Sequence, residues 1–97
     1  MKVEIDPDSA EAIALKALTF IAGDDDIFER FLLISGATPG DLKAGLANRF
    51  FLAGVLEFLL SQEALLLEFC DRETMDPRFP DLAHSILTGT DKDMNFI

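Results

Sequence analysis

Few residues in this chain have side chains that could perform covalent or acid–base chemistry. Nucleophilic catalysis needs a nucleophile with a base within hydrogen-bonding reach. His84 is the only histidine, Cys70 is the only cysteine, and the two lie on different predicted helices. The apolar neighbours of His84 are typical of a half-packed helix position, and Cys70 falls on an apolar helix face that favours a buried, unreactive thiol. We therefore predict no catalytic residues and no enzyme activity.

Three consecutive aspartates, Asp24–Asp26, are the clearest candidates for binding a cation. An EF-hand calcium loop needs oxygen ligands at alternate positions, but Phe28 occupies one of those positions here. Carboxylates at a helix start are stabilised by free backbone N–H groups and by the helix dipole, so we interpret the run as a cap. The sequence has no His or Cys pair at ligand spacing and no glycine-rich phosphate loop. We predict neither a metal nor a cofactor.

The charge balance argues against nucleic acid as a partner. Eighteen acidic residues against eight basic ones give a net charge of -10, and the cations are scattered. Residues 31–46 nevertheless resemble a helix-turn-helix, with a glycine in the turn and a capped second helix. That second helix would offer only Asp41 and Lys43 to a DNA groove. A transcription-related, DNA-binding helix-turn-helix domain is therefore the alternative interpretation, not the preferred one.

Helix signals recur along the chain, and no period-two alternation is long enough to predict a strand. The first helix is predicted to begin at Asp8, with Glu11 as a reciprocal cap, and to end at a left-handed Gly23. Its inner face is predicted from three- and four-residue spacing to be Ala10, Ile13, Ala14, Ala17 and Ile21. Three further helices are bounded by capping signals: Asp24–Asp26 to Gly36, Thr38–Pro39 to about Ala47 with Asn48 as the stop, and Asp76–Pro77 to Gly89.

The segment FFLAGVLEFLLSQEALLLEFC, residues 50–70, is long enough to cross a membrane. Its three glutamates each oppose insertion by about 2.5 to 3.5 kcal/mol, so we predict no membrane span. Small and polar residues stay in phase along one stripe: Ala53, Gly54, Glu57, Ser61, Ala64, Glu68, Asp71 and Arg72. This pattern predicts one long central helix from about Phe50 to Asp71. The predicted fold class is all-α, a single five-helix orthogonal bundle around this helix.

Gln62 and Glu63 interrupt the apolar face of the predicted central helix. On a covered face an ionised carboxylate needs a partner, so we expect Glu63 to be at least half buried. Three interpretations remain open: a kink or break at residues 61–63, a structural pair between Glu63 and a nearby helix start or a cation such as Arg30 or Arg49, or a polar site for a ligand or partner.

Several segments, in this order, resemble a family of short bacterial proteins catalogued only as a domain of unknown function. They are ALTFIA (17–22), FLLISGATPGDL (31–42), FLAGVLEFLL (51–60) and QEALLLEFC (62–70). The family tends to have Asp-Glu where this chain has Gln62 and Glu63, and a glycine where this chain has the link Glu73–Met75. The resemblance covers about residues 10–88 and implies a compact helical bundle with no assigned activity.

The preferred function is a protein–protein interaction or accessory module. We expect one domain over residues 1–97, with an ordered core at about 8–89, mobile ends at 1–6 and 90–97, and a cytoplasmic location because no export signal and no disulfide pattern are present. Hydrophobic residues make up 49% of the chain, which is high for a soluble domain. We therefore predict an exposed patch including Phe28 or Phe50 that binds another protein or a second copy as a homodimer.

Overall fold

The computed structural model describes residues 5–46 and 48–89, which form α-helices and, within those ranges, no strand. The helices are α1 (Pro7–Ala22), α2 (Asp25–Ser35), α3 (Pro39–Gly45), α4 (Arg49–Leu60), α5 (Glu63–Glu73) and α6 (Arg78–Thr88). The all-α prediction is confirmed. The described residues hold six helices and not five, because the predicted central helix is two helices.

Helix α1 begins earlier than the sequence analysis predicted. Asp6 is the N-cap, and its Oδ1 accepts a hydrogen bond from the backbone N–H of Ser9 at 2.7 Å. Pro7 then occupies the first turn, where its missing N–H costs nothing, so the prediction that Asp8 caps the helix is wrong. Most of the predicted mobile ends, namely residues 1–4 and 90–97, lies outside the described residues.

The end of α1 also differs from the prediction. Gly23 is the C-cap but has a right-handed conformation, with φ of -77°. Its N–H donates to the carbonyl groups of Thr19 and Phe20, so the helical turn continues to the next residue, Asp24. Asp24 already caps α2, so the chain passes from one helix to the next without a left-handed reversal.

The caps of α2 and α3 confirm the interpretation of the aspartate run and of the threonine–proline pair. The Asp24 carboxylate accepts hydrogen bonds from the backbone N–H groups of Asp26 and Ile27, at 2.9 and 3.1 Å. Gly36 ends α2 in the left-handed region, with φ of 76°. Thr38 and Asp41 form a reciprocal capping box at the start of α3.

Asn48 begins a helix, although the sequence analysis assigned it as a stop. Its Oδ1 accepts hydrogen bonds from the N–H groups of Phe50 and Phe51, at 2.8 and 3.1 Å, and α4 follows at once. Helix α3 ends at Gly45, two residues before the predicted limit of Ala47, which itself lies outside the described residues. The α3–α4 connection is therefore short.

Helix α6 begins close to its predicted start. The Asp76 carboxylate accepts a hydrogen bond from the N–H of Arg78 at 2.8 Å, and the first helical residue is Arg78 instead of Pro77. A shift of one residue is within the usual uncertainty of helix ends. Gly89 ends the helix in the left-handed region, with φ of 82°.

The hydrophobic core lies where α1, α4 and α6 pack together. All five residues predicted for the inner face of α1 are buried, which confirms that interpretation. Helix α4 contributes the largest share of buried side chains: Leu52, Ala53, Val55, Leu56, Phe58 and Leu59. Aromatic contacts attach the outer helices. The Phe31 ring of α2 lies edge-on to Phe58 of α4, 5.4 Å between centroids, and Phe69 of α5 lies 5.6 Å from Phe20 of α1.

The predicted helix from Phe50 to Asp71 is broken at Ser61 and Gln62, so that prediction is wrong. The axes of α4 and α5 make an angle of 107°. The Ser61 hydroxyl donates to the carbonyl of Phe58 at 2.7 Å, which closes the last turn of α4. The turn lets Phe69 and Cys70 of α5 become buried, with Phe69 packed on α1.

In the part of the chain that the structure describes, no single helix is long and apolar enough to span a membrane. Helices α4 and α5 together reach that length and composition, but only as a pair bent by more than a right angle.

Candidate protein-binding surface

Several large hydrophobic side chains lie on the outside of the described part of the protein. Leu33 is 79% exposed, Phe50 75% and Ile34 59%. Leu15, Leu46 and Leu67 are exposed to a smaller extent. Isolated exposed leucines are ordinary, but phenylalanine and adjacent leucine and isoleucine side chains exposed to this degree indicate a contact surface.

Phe50 lies on the narrow part of α4 that faces solvent. The Asn48 cap fixes where α4 begins, so that Leu52 and Val55 point into the core and Phe50 points away from it. Phe50 and Arg49 form one side of a shallow groove of about 170 Å³, and Leu87 and Gly89 of the α6 end lie on the other side. The structure thus places Phe50 outside the core, as the sequence predicted for a patch that includes Phe28 or Phe50.

Phe28 does not share this exposure. It is half-buried and packs against the core beside Phe31, which is the buried residue of α2. With Phe31 turned inward, Leu33 and Ile34 are the large hydrophobic side chains of α2 that face solvent. The sequence analysis noted neither as a candidate. The signal was present, since apolar residues cover more of α2 than one contact with a neighbouring helix can bury.

Gln62 and Glu63 mark the helix break and do not form a buried polar pair. Gln62 is half-buried at the N-cap position of α5, without a side-chain capping hydrogen bond. Glu63 is the first residue of α5 and is exposed, so the expectation that it is half buried is wrong. The break exposes Glu63 because it ends the apolar face on which the residue was placed. In the described ranges Glu63 pairs with neither Arg30 nor Arg49.

The two residues considered for catalysis, His84 and Cys70, are packed against neighbouring side chains. His84 is half-buried, and its Nε2 lies 3.6 Å from the Glu57 carboxylate, whose side chain is 76% exposed. Cys70 is buried, and burial raises the pKa of its thiol, with the nearby negative charge of Asp76 acting in the same direction. A raised pKa keeps the thiol protonated and poorly nucleophilic. Among the described residues no three His, Cys, Asp or Glu side chains lie close enough to hold a metal ion.

Three of the basic side chains in the described part of the chain are each paired with a carboxylate. Lys16 lies 3.7 Å from Glu73, Arg72 lies 3.0 Å from Glu68, and Arg78 lies 2.7 Å from Asp76. Each of these cations is therefore neutralised locally by a carboxylate. Helices α2 and α3 follow one another through the left-handed Gly36, as the predicted helix-turn-helix requires, but α3 is only seven residues long.

These features define a class of small, acidic, all-helical proteins with exposed apolar side chains. The chain belongs to a family of proteins of unknown function, DUF3572, whose family model matches residues 7–90. No curated protein and no solved structure matches the chain. The resemblance to a domain of unknown function that the sequence suggested is therefore confirmed.

Proposed function

We propose that this protein is a cytoplasmic protein–protein interaction module that binds through its exposed apolar side chains. One observation carries this proposal: Leu33, Ile34 and Phe50 are largely exposed on a small protein whose other surface is strongly acidic. Burying one such side chain contributes about 1.5 to 3 kcal/mol, so a partner that covers them gains a substantial binding free energy.

The acidic surface supports a role in selecting the partner. A net charge of -10 keeps a chain with 49% hydrophobic residues in solution and repels most other acidic proteins. The apolar side chains would supply the binding free energy, and the surrounding negative charge would favour partners that are not strongly acidic. The buried thiol, the half-packed histidine and the dispersed carboxylates give no comparable support to an enzyme.

The test compares capture of partners by three forms of the full chain. The double variant Leu33→Gln/Ile34→Gln removes two exposed apolar side chains, and Glu29→Gln changes an exposed polar residue on the same helix as a matched control. A partner retained by the wild type and by Glu29→Gln, but lost from the double variant, supports the proposal. Calorimetry with the purified partner should then show a negative heat-capacity change, the sign of apolar burial. Equal capture by all three forms contradicts it.

DNA binding is the second candidate because α2 and α3 are consecutive helices joined by a left-handed glycine, a feature that helix-turn-helix motifs also have. The charge of the chain makes it the weaker candidate. A gel-shift titration at about 50 mM salt, where phosphate contacts are strongest, separates the two functions. Retardation that Lys43→Gln abolishes would favour DNA binding, and an unshifted duplex favours the interaction module.

A further inference from the structure

We infer that one partner of this module is a second copy of the same chain, bound through α4. In this arrangement the two α4 helices cross in antiparallel orientation, and Phe50 of each copy packs over Gly54 of the other. The inference rests on the proposed function and specifies the partner for one part of the exposed surface.

Gly54 is an exposed glycine inside a helix, where glycine is less favourable than alanine by about 1 kcal/mol. Packing within the chain does not explain it, because a Cβ added at Gly54 would meet no atom within 4 Å. At Gly45, by contrast, packing within the chain does require glycine, since a Cβ there would lie 2.6 Å from the Phe51 ring. Gly54 thus leaves the α4 backbone uncovered on the outer face of the helix, with open space beside it.

Phe50 supplies a large apolar side chain that can pack on the uncovered backbone at Gly54 of a second copy. It lies one turn before Gly54 on the same exposed face of α4 and is 75% exposed. A two-fold axis that places Phe50 of one copy over Gly54 of the second also places the second Phe50 over the first Gly54. A single helix face therefore carries both halves of the contact, as an isologous interface requires.

The charges at the two ends of this face favour the antiparallel orientation. Arg49 lies at the start of α4 and Glu57 lies towards its end, and both are exposed. Antiparallel pairing brings each Arg49 near the Glu57 of the other copy, whereas parallel pairing sets like charges side by side. Arg49 uses one N–H for the Ile86 carbonyl and keeps other donors free. Each copy carries a net charge of -10, so long-range repulsion opposes the contact, and added salt, which screens this repulsion, should strengthen the dimer.

Sedimentation equilibrium on the full chain tests the inference. The wild type should show a concentration-dependent dimer, and Phe50→Glu should raise its dissociation constant at least about a hundredfold, because each dimer loses two buried rings. Leu33→Gln is the matched control, since it removes an equally exposed side chain on α2 and should leave the constant unchanged.

A second variant separates contact from folding. Gly54→Leu fills open space on an exposed helix position, so it should maintain or raise the thermal stability of the monomer. The same change covers the bare backbone on which Phe50 of the second copy packs, and should weaken the dimer about tenfold or more. A loss of dimer together with an intact monomer cannot result from misfolding.

Cross-linking tests the register directly. In a Cys70→Ala background, a chain carrying Phe50→Cys is mixed with a chain carrying Gly54→Cys. Oxidation should give the mixed disulfide in preference to either homodimer, because only the mixed pair brings the two Cα atoms within about 7 Å.

A wild type that stays monomeric up to about 1 mM, or a dimer that survives both Phe50→Glu and Gly54→Leu, overturns the inference. If partner capture still depends on Leu33 and Ile34 in that case, the proposed function stands without the α4 dimer. If partner capture also does not depend on Leu33 and Ile34, both proposals fail.

Discussion

The guanidinium of Arg49 donates a hydrogen bond through Nη2 to the backbone carbonyl of Ile86 at 2.9 Å. The first residue of α4 is thereby joined to the last turn of α6, across 37 positions of sequence. A cation at the C-terminal end of a helix also interacts favourably with the helix dipole. The contact fixes the point where these two closely packed helices meet.

Replacing Arg49 by alanine should lower the free energy of unfolding by about 1 kcal/mol, because a hydrogen bond from a charged group is lost at an exposed site. Urea denaturation at low protein concentration measures this loss without a contribution from association. Arg30→Ala, an exposed arginine on α2, is the control and should change stability by less than about 0.5 kcal/mol. Equal effects of the two changes would show that the Arg49 contact contributes nothing.

Two glycines of α3 should respond to alanine in opposite directions. At Gly45 the new methyl group would lie 2.6 Å from the Phe51 ring, and we expect a loss of about 1 to 3 kcal/mol. At Gly40 the nearest atom, the Thr38 hydroxyl oxygen, is 3.8 Å away, so stability should be unchanged or rise by up to about 1 kcal/mol. Thermal unfolding of the two variants is the measurement. Comparable melting temperatures would mean that the Phe51 ring moves aside without cost.

Thr74 has a conformation that favours glycine. It ends α5 with φ of 52°, and the N–H of Met75 bonds to the carbonyl of Cys70, as in a Schellman motif. Thr74→Gly should therefore raise the free energy of unfolding by about 1 kcal/mol. Gly36→Ala is the converse control: it also has a positive φ and open space around it, and it should be destabilised by a similar amount. A Thr74→Gly protein no more stable than the wild type would contradict this interpretation.

Asp76 should make stability depend on pH in the acidic range. Hydrogen bonds from the side chain and the backbone N–H of Arg78 lower the pKa of the Asp76 carboxyl from 3.8 to about 2. A lowered folded-state pKa means that this contribution is present above pH 3.8 and is lost as the pH falls towards 2. In Asp76→Asn, the plot of unfolding free energy against pH should be flatter across that window. An identical slope in both proteins would exclude Asp76 as a source of acid sensitivity.

The sequence predicted the parts of this fold that depend on local chemistry. The inner face of α1 follows from a regular helical period, and all five predicted residues are buried. Asp24 and Thr38 cap their helices because their side-chain oxygens satisfy N–H groups within three residues. Exposure of Phe50 was also predictable, since it falls on the polar side of α4 and the opposite side of that helix is apolar.

The break between α4 and α5 could not be assigned from the same signals. The polar stripe keeps its phase across Ser61 and Gln62, so a straight helix and a bent pair have the same pattern. The choice depends on distant contacts: the bend buries Phe69 against Phe20 of α1. The exposure of Leu33 and Ile34 was not predicted for a related reason. The sequence of α2 shows a wide apolar surface but does not indicate which part of it the neighbouring helices cover.

The bend at Ser61 has a consequence for motion within the native state. Helix α5 follows α4 through this turn, and its fully buried side chains are Phe69 and Cys70, with Leu65 and Leu66 partly buried against the core. Because it buries less than α4, we expect it to detach before the core of α1, α4 and α6 opens. The amide hydrogens of residues 63–73 should exchange with solvent through this smaller opening, and those of α4 only through global unfolding. Each opening transiently exposes the rings of Phe20 and Phe69 and gives the buried thiol brief access to water.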